Sequence, residues 1–308
     1  MPTVTITGGT GLIGKALSAM LVRKGYEVII LTRNPPVNNP QPNISFAKWD
    51  INKGEIDAGA IAKSDYIIHL AGAGVAEKRW TGKRKTEIRE SRTKSGALII
   101  KALQETDNKV QAVISSSAIG WYGADTEASL KNGFMEDFTP SGDFLGETCK
   151  RWEESIKPVE TLGKRLVILR TGIVLSNDGG ALAEFIKPLK FGTATILGGG
   201  TQITSWIHIE DICRMYLYAL EHNISGIFNA VAPHPVTNKT LTLALAKAAK
   251  GSHFIPIHVP AFVLKIMLGE MSVEILKSAN VSAAKFQQTG FQFTYPTIDA
   301  ALAELSKN

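Results

Sequence analysis

Apolar positions in this chain follow two rhythms. Short, nearly unbroken runs rich in Val, Ile and Leu recur through the first half. Between them lie longer stretches in which apolar residues return every three or four positions. The unbroken runs predict strands covered on both faces, and the longer rhythm predicts amphipathic helices. Val4-Thr5-Ile6 is the first strand, and residues 12–24 form the first helix, which Gly25 stops. Residues 27–32 (Glu-Val-Ile-Ile-Leu-Thr) form the second strand. Asn34-Pro35-Pro36 opens a loop that runs to Pro42. Further strands are predicted over 44–49, 65–70, 110–115 and 165–170. A long helix over 83–105 carries Ile88, Ser95, Leu98, Ile99 and Ala102 on one face. This alternation argues an α/β fold built on a Rossmann-like, doubly wound parallel sheet.

The second half is less regular. Leu197-Gly198-Gly199-Gly200 reads as a flexible loop, 205–209 as a strand, and Asp211 as the cap of a helix running to His222. After Asn229 the pattern turns mostly helical, over 238–250, 260–268, 282–289 and 297–306. The expected division is discontinuous. Residues 1–170 and 205–231 form the nucleotide-binding part, and 171–204 with 232–308 form a smaller, mostly helical substrate domain.

The stretch Thr7-Gly8-Gly9-Thr10-Gly11-Leu12-Ile13-Gly14 joins the first strand to the first helix. Gly8 permits a tight reversal, Gly11 lets bare backbone approach a pyrophosphate, and Gly14 lets helix and strand pack closely. The free N–H groups at the helix start then face the anion. Gly8, Thr10, Gly11, Leu12 and Ile13 are the cofactor contacts expected from this turn. In NAD sites an acidic residue about 20 residues further on takes the ribose 2′-hydroxyl. Here the second strand ends Leu31-Thr32-Arg33, with no acid at its tip. A guanidinium binds a 2′-phosphate bidentately, so Thr32 and Arg33 predict NADP(H).

Composition narrows the class. The chain has 308 residues, 44% hydrophobic and 20% charged, ordinary values for a globular protein with a sizeable core. Cys149 and Cys213 offer neither a disulfide framework nor metal spacing, and no metal site is expected. The net charge of +6 is concentrated at Lys78, Arg79, Lys83, Arg84, Lys85, Arg89, Arg92 and Lys94. That stripe reads as a solvated helix face or a site for a phosphorylated ligand. No nucleic-acid partner is expected, because aromatic interleaving is missing beyond Trp80. No apolar run reaches the roughly 18 residues of a membrane span. The best candidate, 259–268, is short and broken by Lys265, so no membrane partner is expected. Only Met1-Pro2-Thr3 precedes the first strand, which leads to the expectation of a cytoplasmic protein.

The chain resembles the extended short-chain dehydrogenase/reductase superfamily in the glycine turn, His69-Leu70-Ala71-Gly72, Ser115-Ser116-Ser117-Ala118 and Ile207-His208-Ile209-Glu210-Asp211. More closely it resembles the branch of NAD-dependent epimerase/dehydratase-like "epimerase family" proteins, similar to family 39U of that superfamily. Lys78-Arg79-Trp80, Arg89-Glu90-Ser91-Arg92, Gly142-Asp143-Phe144-Leu145, Trp152-Glu153 and Trp206-Ile207-His208 carry that likeness. The tail, Thr289-Gly290-Phe291-Gln292-Phe293 with Tyr295-Pro296, resembles the branch's DUF1731-type domain. The resemblance implies that Leu70, Ala71 and Gly72 line the ribose and pyrophosphate side of the cofactor. It implies further contacts from Glu87 and Arg92, and from Val174 near the nicotinamide end.

The chain departs from the superfamily at its catalytic pair, a tyrosine with a lysine four residues on. None of Tyr26, Tyr66, Tyr122, Tyr216, Tyr218 and Tyr295 is followed by that lysine. In the helix that should hold the pair, Leu145 and Cys149 stand at the two positions, or Phe144 and Thr148 in the neighbouring register. Ser117 matches the superfamily's serine, and Tyr122 is the nearest phenol in sequence. Both are candidate catalytic residues. His208 with Asp211 matches a position that is usually structural. Two readings follow. One is an NADP(H)-dependent oxidoreductase acting on a small, nucleotide-sugar-like or otherwise anionic substrate. The other is a non-catalytic NADP(H)-binding regulatory or scaffold protein linked to cell division. The oligomeric state is open.

Overall fold

The computed structural model describes residues 1–36 and 41–307, so residues 37–40 of the expected 34–42 loop lie outside the described residues. The first half runs β1 (Thr3–Thr7), α1 (Leu12–Arg23), β2 (Glu27–Thr32), β3 (Ile44–Asp50), β4 (Glu55–Ile56), α2 (Ala58–Lys63), β5 (Tyr66–His69), α3 (Gly82–Glu105), β6 (Ala112–Ala118), α4 (Glu127–Asn132), α5 (Phe144–Ile156) and β7 (Arg165–Thr171). The second half runs β8 (Ile173–Ser176), β9 (Gly179–Gly180), α6 (Ala181–Leu189), β10 (Thr193–Leu197), β11 (Ile203–Thr204), β12 (Trp206–His208), α7 (Ile209–Glu221), β13 (Gly226–Ala230), β14 (Val236–Thr237), α8 (Asn238–Lys250), β15 (Ile255–Val259), α9 (Ala261–Leu268), α10 (Ser272–Leu276), α11 (Ala284–Gln287) and α12 (Ile298–Leu305).

The main sheet has the order β13-β7-β6-β5-β1-β2-β3-β4. Its pairings are parallel except β3 with β4. The unbroken apolar runs are explained by what covers each face. Val28 and Ile30 of β2 pack with Leu17 and Leu21 of α1 and Ile212 and Met215 of α7. Ile29 and Leu31 pack on the other side with Ile61 of α2 and Leu98, Ile99 and Leu103 of α3. Because side chains alternate along a strand, each run serves two cores.

A third core gathers Leu175, Leu182, Leu189, Trp206, Leu241, Leu245, Ile298 and Leu302 from segments far apart in sequence. The tail between them does not stay with that core. Phe286 and Phe291 pack on the α1–α7 side of the main sheet, with Phe286 5.3 Å from the Phe228 ring.

Several expectations need correction. α7 is capped by His208, whose side chain accepts from the Glu210 N–H at 3.2 Å, and Asp211 lies inside the helix. The Asp211 carboxylate instead accepts from the N–H groups of Thr294 and Tyr295 at 2.9 and 2.8 Å, tying the tail to α7. The fifth predicted strand begins at Ala112 and runs three residues further, through Ala118. The helix expected over 282–289 shortens to Ala284–Gln287. The second half contains more strand than its sequence suggested, because β8 to β15 are mostly two to five residues long and too short to show a period. The glycine loop at 197–200 is a hydrogen-bonded turn, with the Gly200 N–H on the Leu197 carbonyl at 3.1 Å.

At Gly14 the first helix meets the preceding turn with no room for a side chain. An added Cβ would lie 2.4 Å from the Gly8 oxygen and 2.5 Å from the Gly9 Cα, both backbone atoms. Gly14→Ala is therefore expected to cost about 3 kcal/mol of stability through overpacking. Gly82→Ala, where an added Cβ meets nothing within 4 Å, should be neutral or slightly stabilising. Urea unfolding of both variants checks this, and an unchanged midpoint for Gly14→Ala would contradict it.

Candidate functional site

The glycine turn, the ends of β2 and β5, and the start of α3 converge at the carboxyl edge of the sheet. Gly8 has φ +72°, and an added Cβ there would lie 2.9 Å from the Leu70 carbonyl. The Thr7 hydroxyl accepts from the N–H groups of Leu70 and Ala71, each at 3.2 Å, which fixes the end of β5 beside the turn. Thr10 and Gly11 are exposed at the tip, with Leu12 and Ile13 partly buried behind them. α1 starts without a side-chain cap and without an acid in its first turn. Its first N–H groups are left for an anion, which the positive end of the helix dipole favours.

Arg92 crosses from α3 to this edge. An added Cβ on Gly72 would lie 3.0 Å from the Arg92 guanidinium carbon. The guanidinium donates to the carbonyls of Ala73 (3.0 Å) and Ile88 (2.8 Å) and lies 4.9 Å from the Trp152 ring centre. No carboxylate pairs with it among the described residues. Burial lowers its pKa to about 10, so it remains a cation near neutral pH. A shielded cation without a counter-ion is a ready partner for an anionic ligand.

Glu87 is placed differently. It is exposed and paired with Arg84 at 2.8 Å, a hydrogen bond that holds its carboxyl below the usual range. Arg84 also holds Glu77 and the Gly74 carbonyl, so this arginine staples the 74–87 segment together. Val174 of β8 lies opposite Ile207 of β12. Its carbonyl would be 3.8 Å from a Cβ on Gly180, and that Cβ would touch Leu12 at 3.0 Å. The β8–β9 hairpin therefore reaches the start of α1.

Thr32 closes β2 and stands in register with Lys48 of β3. Arg33 follows, exposed, and the Lys48 ammonium donates to its carbonyl. The Arg33 guanidinium has no partner among the described residues. Lys48 was missed from the sequence. Only the parallel register of β2 and β3 brings it beside Arg33.

The catalytic candidates lie in a buried polar network. Arg170 of β7, 1% exposed, forms two hydrogen bonds with Glu153 of α5, at 2.8 and 3.0 Å. The Ser117 hydroxyl donates to the same carboxylate at 2.7 Å. The Tyr122 hydroxyl donates to the Asn229 side-chain oxygen at 2.7 Å and accepts from Arg170 at 3.1 Å. Trp121 covers the guanidinium at 3.7 Å. Burial opposes the charge of Arg170, yet its bond to Glu153 keeps its pKa raised. Burial also pushes the Tyr122 phenol up to about 12, against the partial pull of Arg170. Ser117 and Tyr122 are each 1% exposed. The geometry therefore gives both hydroxyls a structural task and offers no support for either as a proton donor. An arginine inside the strand run Leu-Val-Ile-Leu-Arg was the available signal, because a buried cation requires a partner.

At the superfamily's pair position, Leu145 packs with Trp80, Phe144, Leu268 and Met271. Cys149 is buried behind it, and burial raises its thiol pKa to about 12. Titratable groups stand close by: the Lys85 ammonium lies 5.0 Å from the Phe144 ring centre, and a second lysine reaches the cap of α5. Lys277, 9% exposed, donates to the Tyr122 carbonyl (3.1 Å) and pairs with Glu274 (2.6 Å) and Asp143 (3.5 Å), the residue that caps α5. Its position 134 residues from Asp143 hid it from sequence reasoning. His208 packs on the Tyr295 ring at 4.0 Å, which agrees with a structural part. Among the described residues no His/Cys/Asp/Glu group could hold a metal ion.

The fold and this cradle define an extended short-chain dehydrogenase/reductase, and the chain belongs to the NAD dependent epimerase/dehydratase family, whose pattern matches residues 4–230. Residues 259–305 match a Domain of unknown function (DUF1731). The chain is 36% identical over 304 residues to the epimerase family protein YfhF of Bacillus subtilis, covering 98% of this chain and 97% of that one. It is 32% identical to the epimerase family protein ML0860 of Mycobacterium leprae, over 97% and 94% of the two chains. Among solved structures, human epimerase family protein SDR39U1 (isoform 2), crystallised with NADPH, superposes with a TM-score of 0.85 at 28% identity, over 99% of both chains. A UDP-glucose 4-epimerase from Thermotoga maritima shares the fold, with a TM-score of 0.80 at 20% identity.

His69, at the end of β5, couples this edge to pH. It is fully buried, with its ring nitrogens 3.0 Å from the Ser115 hydroxyl and 2.7 Å from the Ser95 hydroxyl. Burial first, then the nearby Arg92 charge, lower its pKa from 6.5 to about 3. The unfolded chain protonates this histidine near pH 6.5 and the folded chain only near 3. The stability it contributes is complete above the upper value and falls as pH drops toward the lower. The wild type is expected to lose about 2 kcal/mol from this group between pH 6.5 and 5. His69→Gln should flatten that part of the stability profile. Equal slopes for the two proteins in denaturant titrations would contradict the assignment.

Proposed function

We propose that this chain binds NADP(H) at the glycine turn and acts as a coenzyme-responsive protein rather than through the superfamily's tyrosine and lysine. The observation that carries the coenzyme choice is the pair of cations, Arg33 just beyond β2 and Lys48 of β3 opposite Thr32, with no carboxylate at the β2 tip. A 2′-phosphate is favoured there, and a bare 2′-hydroxyl gains little. Arg92 and the uncapped start of α1 supply cationic and N–H partners for a diphosphate. NADPH in the crystals of the human relative supports the same choice. The apolar surroundings of Leu145 and the engaged hydroxyls of Ser117 and Tyr122 support a role without the usual proton relay.

A second reading, an oxidoreductase acting on a small substrate, is favoured by one observation. Lys277 brings an ammonium beside the first turn of α5, where the superfamily's pair begins. NADPH supplies a hydride when bound, and an ammonium can polarise a carbonyl and donate the proton.

Arg33→Ala should weaken NADPH binding about 10- to 150-fold, the value of a charge-assisted hydrogen bond, and leave NADH binding unchanged. Fluorescence titration of both coenzymes checks this, and equal loss for NADH would overturn the 2′-phosphate assignment. Single-turnover oxidation of bound NADPH against a panel of carbonyls separates the two readings. The first predicts no oxidation by the wild type with any of them. Oxidation that Lys277→Met abolishes, with NADPH binding intact, would replace the first reading with the second.

A further inference from the structure

We propose that the strand–helix unit at residues 255–268 seats this protein on the surface of an anionic lipid bilayer. The observation is a concentration of apolar exposure. Of the ten large hydrophobic side chains exposed among the described residues, six lie within 255–273: Ile255, Ile257, Phe262, Ile266, Met267 and Val273. Isolated exposed apolar residues are ordinary, but a cluster marks a contact surface.

α9 is the centre of the cluster. Its sequence, Ala-Phe-Val-Leu-Lys-Ile-Met-Leu, contains a single polar residue, yet only Leu264 is buried. Phe262 is 64% exposed, Ile266 71% and Met267 65%. At 100° per residue, Phe262, Ile266, Val263 and Met267 form one outward arc, while Leu264 and Leu268 face the protein. The helix is thus apolar on the side turned away from its own core.

Charge decides what covers that arc. Lys265 borders it on α9, and Arg79 lies against the residue that ends the helix, since a Cβ on Gly269 would be 2.7 Å from its Nε. Lys78 and Lys83 flank Arg79 in sequence. None of these four cations forms an ion pair among the described residues. Lys78 and Lys83 lie near enough to Glu87 for their charges to help lower its carboxyl pKa. The neighbouring acids, Glu270 and Glu274, are already paired with Lys85 and Lys277. An apolar ridge bordered by Lys265 and Arg79, neither of them in an ion pair, matches a bilayer surface that carries acidic headgroups.

A second copy of the chain fits less well. A two-fold contact would bring the same cations face to face. Strand addition is blocked as well: β15 hydrogen-bonds β10 from Ile255, so Pro256 occupies the outer edge, where it has no N–H to offer. The unit does not span. α9 is eight residues long, about 12 Å, and no described helix is long and apolar enough to cross a membrane. The sequence-based expectation of no membrane partner weighed only a span. A surface contact needs far less apolar length.

The test is co-sedimentation of the full chain with vesicles of phosphatidylcholine alone and of phosphatidylcholine containing about one-third phosphatidylglycerol. The anionic vesicles should bind at least about tenfold more tightly, and rising salt should reduce the difference. The double variant Phe262→Ser, Ile266→Ser should lose about tenfold or more of that binding, because both side chains would leave the acyl boundary. Both residues are exposed, so the variant should keep the wild-type thermal midpoint, which shows that it folds. Lys265→Gln with Arg79→Gln should remove the preference for phosphatidylglycerol. Failure to bind either vesicle overturns the proposal. So does a dimer, seen by sedimentation equilibrium, that the Phe262→Ser, Ile266→Ser variant dissociates.

Discussion

Backbone lies against backbone at the first turn, and the rest of the nucleotide half is arranged around that approach. Side chains are excluded at Gly14 by the carbonyl of Gly8 and at Gly8 by the end of β5. This closeness puts the start of α1 directly over the carboxyl ends of β1 and β5. It also leaves the first N–H groups of the helix without a cap. The parallel register then brings Lys48 of β3 opposite Thr32 beside Arg33, which follows β2, and α3 carries Arg92 over the residues after β5. The coenzyme reading uses charges placed by this turn, this register and the packing of α3.

A second constraint acts where the superfamily's serine and tyrosine–lysine pair would lie. An arginine at the inner end of β7 is nearly excluded from water, so it needs a carboxylate within hydrogen-bond reach. Glu153 on α5 provides it, and Ser117, Tyr122 and Asn229 complete the network. The hydroxyls of Ser117 and Tyr122 are thereby turned inward. One and two helical turns before Glu153, Cys149 and Leu145 are apolar, and Leu268 and Met271 of the 268–271 segment pack with Leu145. The face of α5 that Leu145, Cys149 and Trp152 share is buried by packing.

Most of the nucleotide half was legible in the sequence, because long parallel strands and helices carry clear periods. β2 falls on residues 27–32 as read, and α3 buries the same face, Ile88 to Ala102. The second half was less legible. Its strands are too short for a period, and its core joins segments near 175, 241 and 298 that no local pattern connects. Asp211 shows the same limit: it suits a helix cap by type, but its carboxylate reaches the tail more than eighty residues on. The placement of Arg33 after a strand end and of Arg92 beside a buried helix face was readable, because charge at such positions is conspicuous. Lys48, Glu153 with Arg170, and Lys277 were not, because each acquires its meaning from a partner distant in sequence.

The most direct measurement is a crystal structure of the full chain grown with NADPH. The account predicts diphosphate density against the N–H groups at the start of α1, near Arg92, and 2′-phosphate density between Arg33 and Lys48. Density at another edge of the sheet, or a 2′-phosphate turned to solvent away from both cations, would contradict it.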